Sequence, residues 1–375
     1  MIVARPPGKC EEGWLAELME DGEMDNSTSW QIESIAQPLL LYLQERLSGR
    51  DNVVIKDLAR ITTGWETEVY SFRLVDRGNE LSLDLILRIY PGDDAQVKSQ
   101  REFGIMDLLK RSNFSVPAVF FLETGTSRLP KPFMIMERIW GPSLREMFGS
   151  HMLDPKGAEL VALFCRLFTD LHRWNWCEHA DALAQIPSLS CPLHLPAELE
   201  RWRKSGGSGW EPAFDLLLAQ YPKITCQSPC LTHGDFHPDN IILEGGLKPY
   251  IIDWGGARLQ DFRIDLAWTM LLLGTYGSWE LGDMVLRQYE TILGKAIPDM
   301  PYFLTVAALK RLLSIYLSVT VGAEQLGMRE GAAAMMVKDL PHLQKVYEVF
   351  QDHAGVELPP IRSLLDDMAA STGNQ

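Results

Sequence analysis

The hydrophobic pattern of this chain changes period once, at Gly141-Pro142, and that change restricts what it can fold into. Before it, short segments rich in β-branched and aromatic residues alternate with turns. They are Val53 onward, Glu68-Val-Tyr-Ser-Phe-Arg-Leu-Val75, Leu81 to Tyr90, Val116 to Glu123 and Pro132 to Arg138, with Asp76-Arg-Gly-Asn79 as a turn. One helical stretch, Ala95 to Lys110, interrupts them. After it, helical spacing dominates over Asp154 to Trp174, Trp268 to Gly294, Tyr302 to Gln325 and Gly331 to Asp352. Ile32, Ile35, Leu39, Leu40, Tyr42, Leu43 and Leu47 also recur at helical spacing ahead of the first strand. The pattern predicts an α+β fold in two lobes: residues 1–50 as an arm and helix, 51–137 as a small lobe on an antiparallel sheet, and 138–375 as a larger, mainly helical lobe. Glu137-Arg-Ile-Trp-Gly141 sits where a connector would run, and the cleft beside it is the expected ligand site.

With 375 residues, 46% of them hydrophobic, the chain can bury a large core. It carries 35 basic and 50 acidic residues, a net charge of −15, which argues against nucleic acid or an anionic membrane as partner and favours a cationic or neutral one. Six cysteines are too sparse for a disulfide framework, and no charged leader with an apolar core opens the sequence, so the expected localisation is cytoplasmic. Cys226 and Cys230 form a C-x-x-x-C pair without the further ligands of a zinc site. Apolar runs such as Leu266 to Leu273 fall short of the ~20 residues that span a bilayer, so no membrane segment is expected.

The polar residues with chemical potential flank a predicted hairpin. Asp235 and Asn240 precede Ile241-Ile-Leu243, Asp253 follows Tyr250-Ile-Ile252, and Glu244-Gly-Gly-Leu-Lys248 is the turn between. A two-residue Gly246-Leu247 loop sets Ile241 opposite Ile252 and Asn240 opposite Asp253. Opposed residues in such a ladder have Cα atoms ~4.5–5.5 Å apart, so an amide oxygen and a carboxylate could share one hard cation such as Mg²⁺. Asp235 is then free to accept a proton from a hydroxyl.

His233-x-Asp235-x-x-x-x-Asn240 matches the catalytic loop of protein-kinase-like folds, and the fuller His233-Gly-Asp-Phe-His-Pro-Asp-Asn240 resembles the aminoglycoside phosphotransferase and choline kinase superfamily. The resemblance implies a bilobal protein-kinase-like fold whose small lobe binds nucleotide, ATP in the first instance with GTP as the alternative, together with Mg²⁺. It implies Asp235 as catalytic base, Asn240 and Asp253 as metal ligands, and His233, His237 and Asp265 as supports of the catalytic loop. Upstream, Leu85-Ile-Leu-Arg-Ile-Tyr-Pro91 is similar to the third strand of the small lobe, so Arg88 would contact phosphates and Glu102 would orient it. Arg88 stands where protein kinases carry Lys, and the two side chains are not equivalent at a tight phosphate site. Thr62-Thr-Gly-Trp-Glu-Thr-Glu-Val69 occupies the place of the phosphate-covering turn, with Thr63 and Gly64 as its binding groups, and Met134 to Arg138 occupies that of the adenine hinge.

Three rival readings account for less. Asp170-Leu-His172 with Gly234-Asp235 looks like the start of a metallophosphoesterase, but the later histidine motifs of that chemistry are missing from the sequence. A protein kinase would need Asp-Phe-Gly, Ala-Pro-Glu and a glycine-rich loop. A pseudokinase would not need Asp235, Asn240 and Asp253 together. The expected acceptor is therefore a small molecule bearing a hydroxyl, of aminoglycoside, choline or sugar type. Trp174 and Trp176 are candidate walls of its pocket. Asp261, Glu280 and Glu324 are acids that could receive a cation, though nothing in the sequence brings them together. Trp254 is expected beneath the metal site, and His172 in a packing or surface role on its helix.

Overall fold

The computed structural model describes residues 26–47, 52–61, 66–76, 78, 81–151, 155–225, 227–323, 326, 328, 332, 336 and 339–372. Helix α1 (Asn26–Arg46) leads into strands β1 (Val53–Ile61), β2 (Glu68–Asp76) and β3 (Leu81–Ile89), then helix α2 (Ala95–Arg111) and strands β4 (Val119–Glu123) and β5 (Phe133–Glu137). The five strands form one antiparallel sheet in the order β1-β2-β3-β5-β4.

The two-residue side-chain period sorts these strands between two cores. Tyr70, Phe72 and Leu74 of β2, Leu85, Leu87 and Ile89 of β3, and Phe133 and Ile135 of β5 pack with Ile35, Leu39, Tyr42 and Leu43 of α1. Met134 and Met136, the alternate residues of β5, belong to the larger core with Ile105, Met106, Leu108 and Leu109 of α2. Each side chain buried in this way contributes roughly 1.5–3 kcal/mol. One strand therefore ties the sheet to both cores.

The large lobe contains α3 (Leu144–His151), α4 (Pro155–Arg173), the short α5 (Ala180–Leu183), α6 (Leu195–Gly206) and α7 (Glu211–Gln220). Four short strands follow, β6 (Cys230–Thr232), β7 (Ile241–Glu244), β8 (Lys248–Ile251) and β9 (Arg258–Gln260), with β6 paired to β9 and β7 to β8. The chain closes with α8 (Phe262–Tyr276), α9 (Trp279–Leu293), α10 (Met300–Leu317), α11 (Leu340–Ala354) and α12 (Pro359–Thr372).

Several boundaries differ from the sequence reading. The helix expected from Trp268 to Gly294 is two helices, because Gly277 ends α8 and the Ser278 side chain accepts from the Leu281 N–H to start α9. α10 passes into a π-helical turn, Ser318–Gly322, and within the last predicted segment Ala332 and Met336 are helical before α11 begins at Leu340. By length and composition, Met300–Gly322 is apolar enough to cross a membrane, which shorter runs such as Leu266 to Leu273 did not reveal. Most of it is buried inside the protein, against α8 and α11.

Gly141 fixes the crossing between the lobes. A Cβ there would lie 2.1 Å from the Leu243 carbonyl oxygen, the Leu243 N–H donates to the Pro142 carbonyl at 2.9 Å, and Ser143 bridges to Ile242. Only glycine admits so close an approach of two backbones.

Candidate active site

The loop after β6 is shaped by one glycine and one buried carboxylate. Gly234 has φ of +85°, and a Cβ on it would lie 2.4 Å from the Gly256 carbonyl oxygen. Asp265, in the first turn of α8, accepts from the His233 N–H at 2.7 Å and the Gly234 N–H at 2.9 Å. Asp265 is itself held by His172, whose Nε2 lies 3.3 Å away while its Nδ1 lies 2.6 Å from the Tyr289 hydroxyl. The His233 ring donates from Nε2 to the Ile252 carbonyl at 2.9 Å and accepts the Asp235 N–H at Nδ1. That tautomer is neutral, in keeping with a pKa lowered by burial.

The Asp235 carboxylate is gripped from two sides. Trp268 Nε1–H donates to Oδ1 at 2.8 Å, and His237 Nε2 lies 3.4 Å from Oδ2. Burial alone would raise its pKa, but the hydrogen bond and charge of His237 and the Trp268 hydrogen bond hold it well below the usual carboxylate range. Burial opposes protonation of His237, yet Asp235 and Asp239 outweigh it and push the imidazole up to about 10. Below the loop, Phe236 stacks on Phe168 with centroids 4.1 Å apart.

The hairpin carrying Asn240 and Asp253 forms in a different register from that expected. Its turn has three residues, Gly245 to Leu247, with Gly245 and Gly246 both at positive φ. Ile241 pairs with Ile251, and the Ile252 N–H donates to the Asn240 carbonyl at 3.0 Å. Asp253 thus lies one residue past the position opposite Asn240. It adopts the left-handed conformation, φ 66° and ψ 62°, where the strand turns. Asn240 Nδ2 donates to the Asp235 carbonyl at 2.9 Å, which identifies its other terminal atom as oxygen. Trp254 is fully buried, its ring 4.6 Å from that of His233.

From the small lobe, Arg88 reaches across to Asp253. Its Nη2 lies 2.8 Å from Asp253 Oδ1 and its Nη1 lies 3.4 Å from Glu102 Oε1. Glu102 also accepts from the Tyr90 hydroxyl at 2.8 Å, and Arg101 donates to the Gly255 carbonyl at 3.0 Å. Burial works against the Arg88 charge, but Asp253 and Glu102 more than compensate and raise its pKa. Glu66, Lys98, Arg88, Glu102, Asp253 and Gly255 line one cavity between the lobes. Thr63 and Gly64 lie outside the described residues.

The sequence profile described as the phosphotransferase enzyme family matches residues 57–302. The chain belongs to the phosphotransferase enzyme family. No curated protein sequence matches this phosphotransferase. Among solved structures it is similar to a protein of Ralstonia eutropha JMP134 assigned as an aminoglycoside phosphotransferase, with 19% identity and a TM-score of 0.56 over 85% of this chain and 98% of that one. It is similar to the GDP and kanamycin complex of APH(2")-IIIa, with 17% identity and a TM-score of 0.54 over 84% and 99% of the two chains. It is also similar to a thermostable APH(4)-Ia mutant in ternary complex with ADP and hygromycin B, with 14% identity and a TM-score of 0.52 over 86% and 99%. At these identities the likeness is one of fold.

Within the phosphotransferase fold, Arg88, Glu102 and Asp253 line the cavity between the lobes, Asn240 is bonded to the Asp235 backbone, and His233, His237 and Asp265 make their contacts with the loop that carries Asp235. Three side chains to which sequence reasoning gave no part in the site belong with them: Trp268 on Asp235, His172, expected only to pack or face solvent, on Asp265, and Glu66 on the cavity wall. A helix-face tryptophan or histidine carries no local signal of such a contact. Trp174 and Trp176 are not beside Asp235. Trp174 stacks on His179 at 4.6 Å and Trp176 donates to the Pro229 carbonyl at 2.9 Å. Asp261 is engaged by Arg263 at 2.6 Å, Glu280 sits in the first turn of α9, and Glu324 and Cys226 lie outside the described residues.

Proposed function

We propose that this phosphotransferase moves the γ-phosphoryl group of ATP or GTP to a hydroxyl of a small molecule, with Asp235 as the residue that receives the hydroxyl. One observation carries the reading: an ionised carboxylate, fixed by Trp268 and His237, sits on a loop to which Asn240 is bonded, and Asn240 pairs through its carbonyl with the strand end that presents Asp253 to the interlobe cavity. In such a reaction the acceptor oxygen bonds to the γ-phosphorus as the bond to the β-γ bridging oxygen breaks. The hydroxyl proton passes to Asp235 Oδ2 and the nucleoside diphosphate leaves. A carboxylate held so far below neutral pH is a weak base, which suits late proton transfer in a loose transition state and makes orientation its main contribution.

The residues present fit Mg²⁺. Asn240 turns its amide nitrogen inward and leaves Oδ1 free of donors among the described residues, with Asp253 beside it. Among the described residues no cluster of three His, Cys, Asp or Glu side chains forms a protein-only cage, and magnesium commonly completes its shell with water and phosphate oxygens. When bound, the ion would neutralise phosphate charge. Arg88, kept charged by Glu102 and Asp253, would draw the phosphates to the same place. The GDP and ADP complexes of the similar structures support nucleotide as donor, and their kanamycin and hygromycin B support a hydroxyl-bearing small molecule as acceptor.

Asp235→Asn tests the assignment. It should abolish phosphoryl transfer and leave nucleotide affinity, measured by calorimetry, within a few-fold of the parent. Full turnover in this variant would sink the reading. Loss of magnesium-dependent nucleotide binding in Asp253→Ala tests the metal role separately.

A further inference from the structure

Lys310 lies on α10, over the face of the Trp268 ring whose edge holds Asp235. Its Nζ sits 4.3 Å from the centroid of the Trp268 ring, and the same ring donates through Nε1 to Asp235 Oδ1 at 2.8 Å. One indole thus contacts both an ammonium group, on its face, and the carboxylate that would receive the acceptor, at its edge. No carboxylate among the described residues lies within ion-pair distance of Lys310. Among the described residues Arg258 on β9, also half-buried, donates to the neighbouring Ala257 carbonyl, at 2.7 Å, and to no carboxylate. Other cations near the cleft have polar partners: Arg88 has Asp253 and Glu102, Lys98 has Asp94 at 3.1 Å, and Arg101 has the Gly255 carbonyl at 3.0 Å.

Burying a cation without a counter-ion is costly, and the Trp268 face offsets only part of that cost for Lys310, so an anionic ligand group would supply the rest. Burial lowers the Lys310 pKa, while Asp235 and Asp265 oppose that effect and Arg258 adds to it. The charges of the catalytic loop and of Arg258 are thus close enough to act on it. The acids that might have received a polycation are accounted for otherwise. Asp261 is spent on Arg263 and Glu280 is at an exposed helix start.

We infer that the acceptor is an anionic alcohol, a hydroxy acid or a phosphorylated alcohol, whose hydroxyl meets Asp235 while its anionic group meets Lys310 across the Trp268 face. This rests on the phosphotransferase reading above and names its substrate class. It reverses the expectation from the net charge, because Lys310 places a positive charge against the ring that binds Asp235. Lys310 acts here as a specificity residue, and its ammonium adds a charge-assisted contact that an uncharged or cationic acceptor would lack.

The test uses the full chain with magnesium and ATP and follows ADP release over matched acceptors: glycerate against glycerol, gluconate against glucose, and choline and kanamycin as cations. Wild-type protein should respond to the acid of each pair at the lower concentration. Lys310→Met should lower kcat/KM for the acids by about 10- to 100-fold through KM, Lys310→Arg should restore most of it, and the KM for ATP should not move. Preference for the neutral or cationic acceptors overturns the inference, as does a response to the acids that is the same in wild type and Lys310→Met. So does a Lys310→Met defect confined to the KM for ATP. Phosphorylation of choline or kanamycin that depends on Asp235 would overturn the substrate class while leaving the phosphotransferase reading intact. ADP release indifferent to Asp235→Asn would remove both.

Discussion

Trp268 is the residue whose contribution can be isolated most cleanly. Its indole N–H gives Asp235 a charge-assisted bond, of a kind worth about 1.5–3 kcal/mol. Trp268→Phe keeps the ring under Lys310 and removes only that donor, so kcat should fall roughly 10- to 100-fold with the nucleotide KM unchanged, checked by steady-state kinetics. The pairing joins positions 33 apart in sequence, and His172 reaches Asp265 across 93. Neither could be read from helical spacing, which reports only that a face is apolar. Arg88 shows the converse. Its position on β3 was legible, but its ion pair with Asp253 depends on how closely the lobes approach, and no local pattern encodes that distance.

The hairpin and the loop before it show what a few backbone angles decide at the level of an element. The choice between a two- and a three-residue turn shifts every pairing by one, and Gly245 with Gly246, both able to take positive φ, admits the longer form. The two strands of the hairpin were therefore legible while their register was not. The same reasoning separates two glycines. Gly234→Ala forces a Cβ against the Gly256 carbonyl at positive φ. It should cost roughly 1–3 kcal/mol of stability and more than 100-fold in kcat by displacing Asp235. Gly245→Ala meets nothing within 4 Å and should cost only about 1–2 kcal/mol for its φ, with activity retained. Urea melts and kinetics on the two variants check this contrast.

For the molecule as a whole, the packing of α11 against α8 and α10 predicts an acid sensitivity. His342 is 2% exposed and stacks on Tyr276 at 3.9 Å, and its Nε2 accepts from Arg311 at 3.0 Å. Burial first, then the charges of Arg311 and Lys345, lowers its pKa to about 3 from the ordinary 6.5. The folded state therefore keeps the ring neutral while the unfolded state can protonate it. Its contribution to stability is complete above about pH 6.5 and is lost as the pH falls toward 3, by at most about 1.4 kcal/mol per pH unit. Urea midpoints between pH 7 and 4 should decline less steeply in His342→Gln than in the parent. The division into a sheet-based and a helical part was plain in the hydrophobic period, whereas this contact, joining three helices from distant parts of the chain, left no trace in it. The seam at Gly141 sets how those parts can move. Because the crossing chain is stitched to β7 from Pro142 onward, any tilt of the sheet has its fulcrum between Glu137 and Trp140, ahead of that seam. Asn240, Asp253 and Asp235 therefore stay on the stationary side. A tilt about that fulcrum would separate Arg88 from Asp253, so the 2.8 Å ion pair between them is the clasp that such a movement would have to undo.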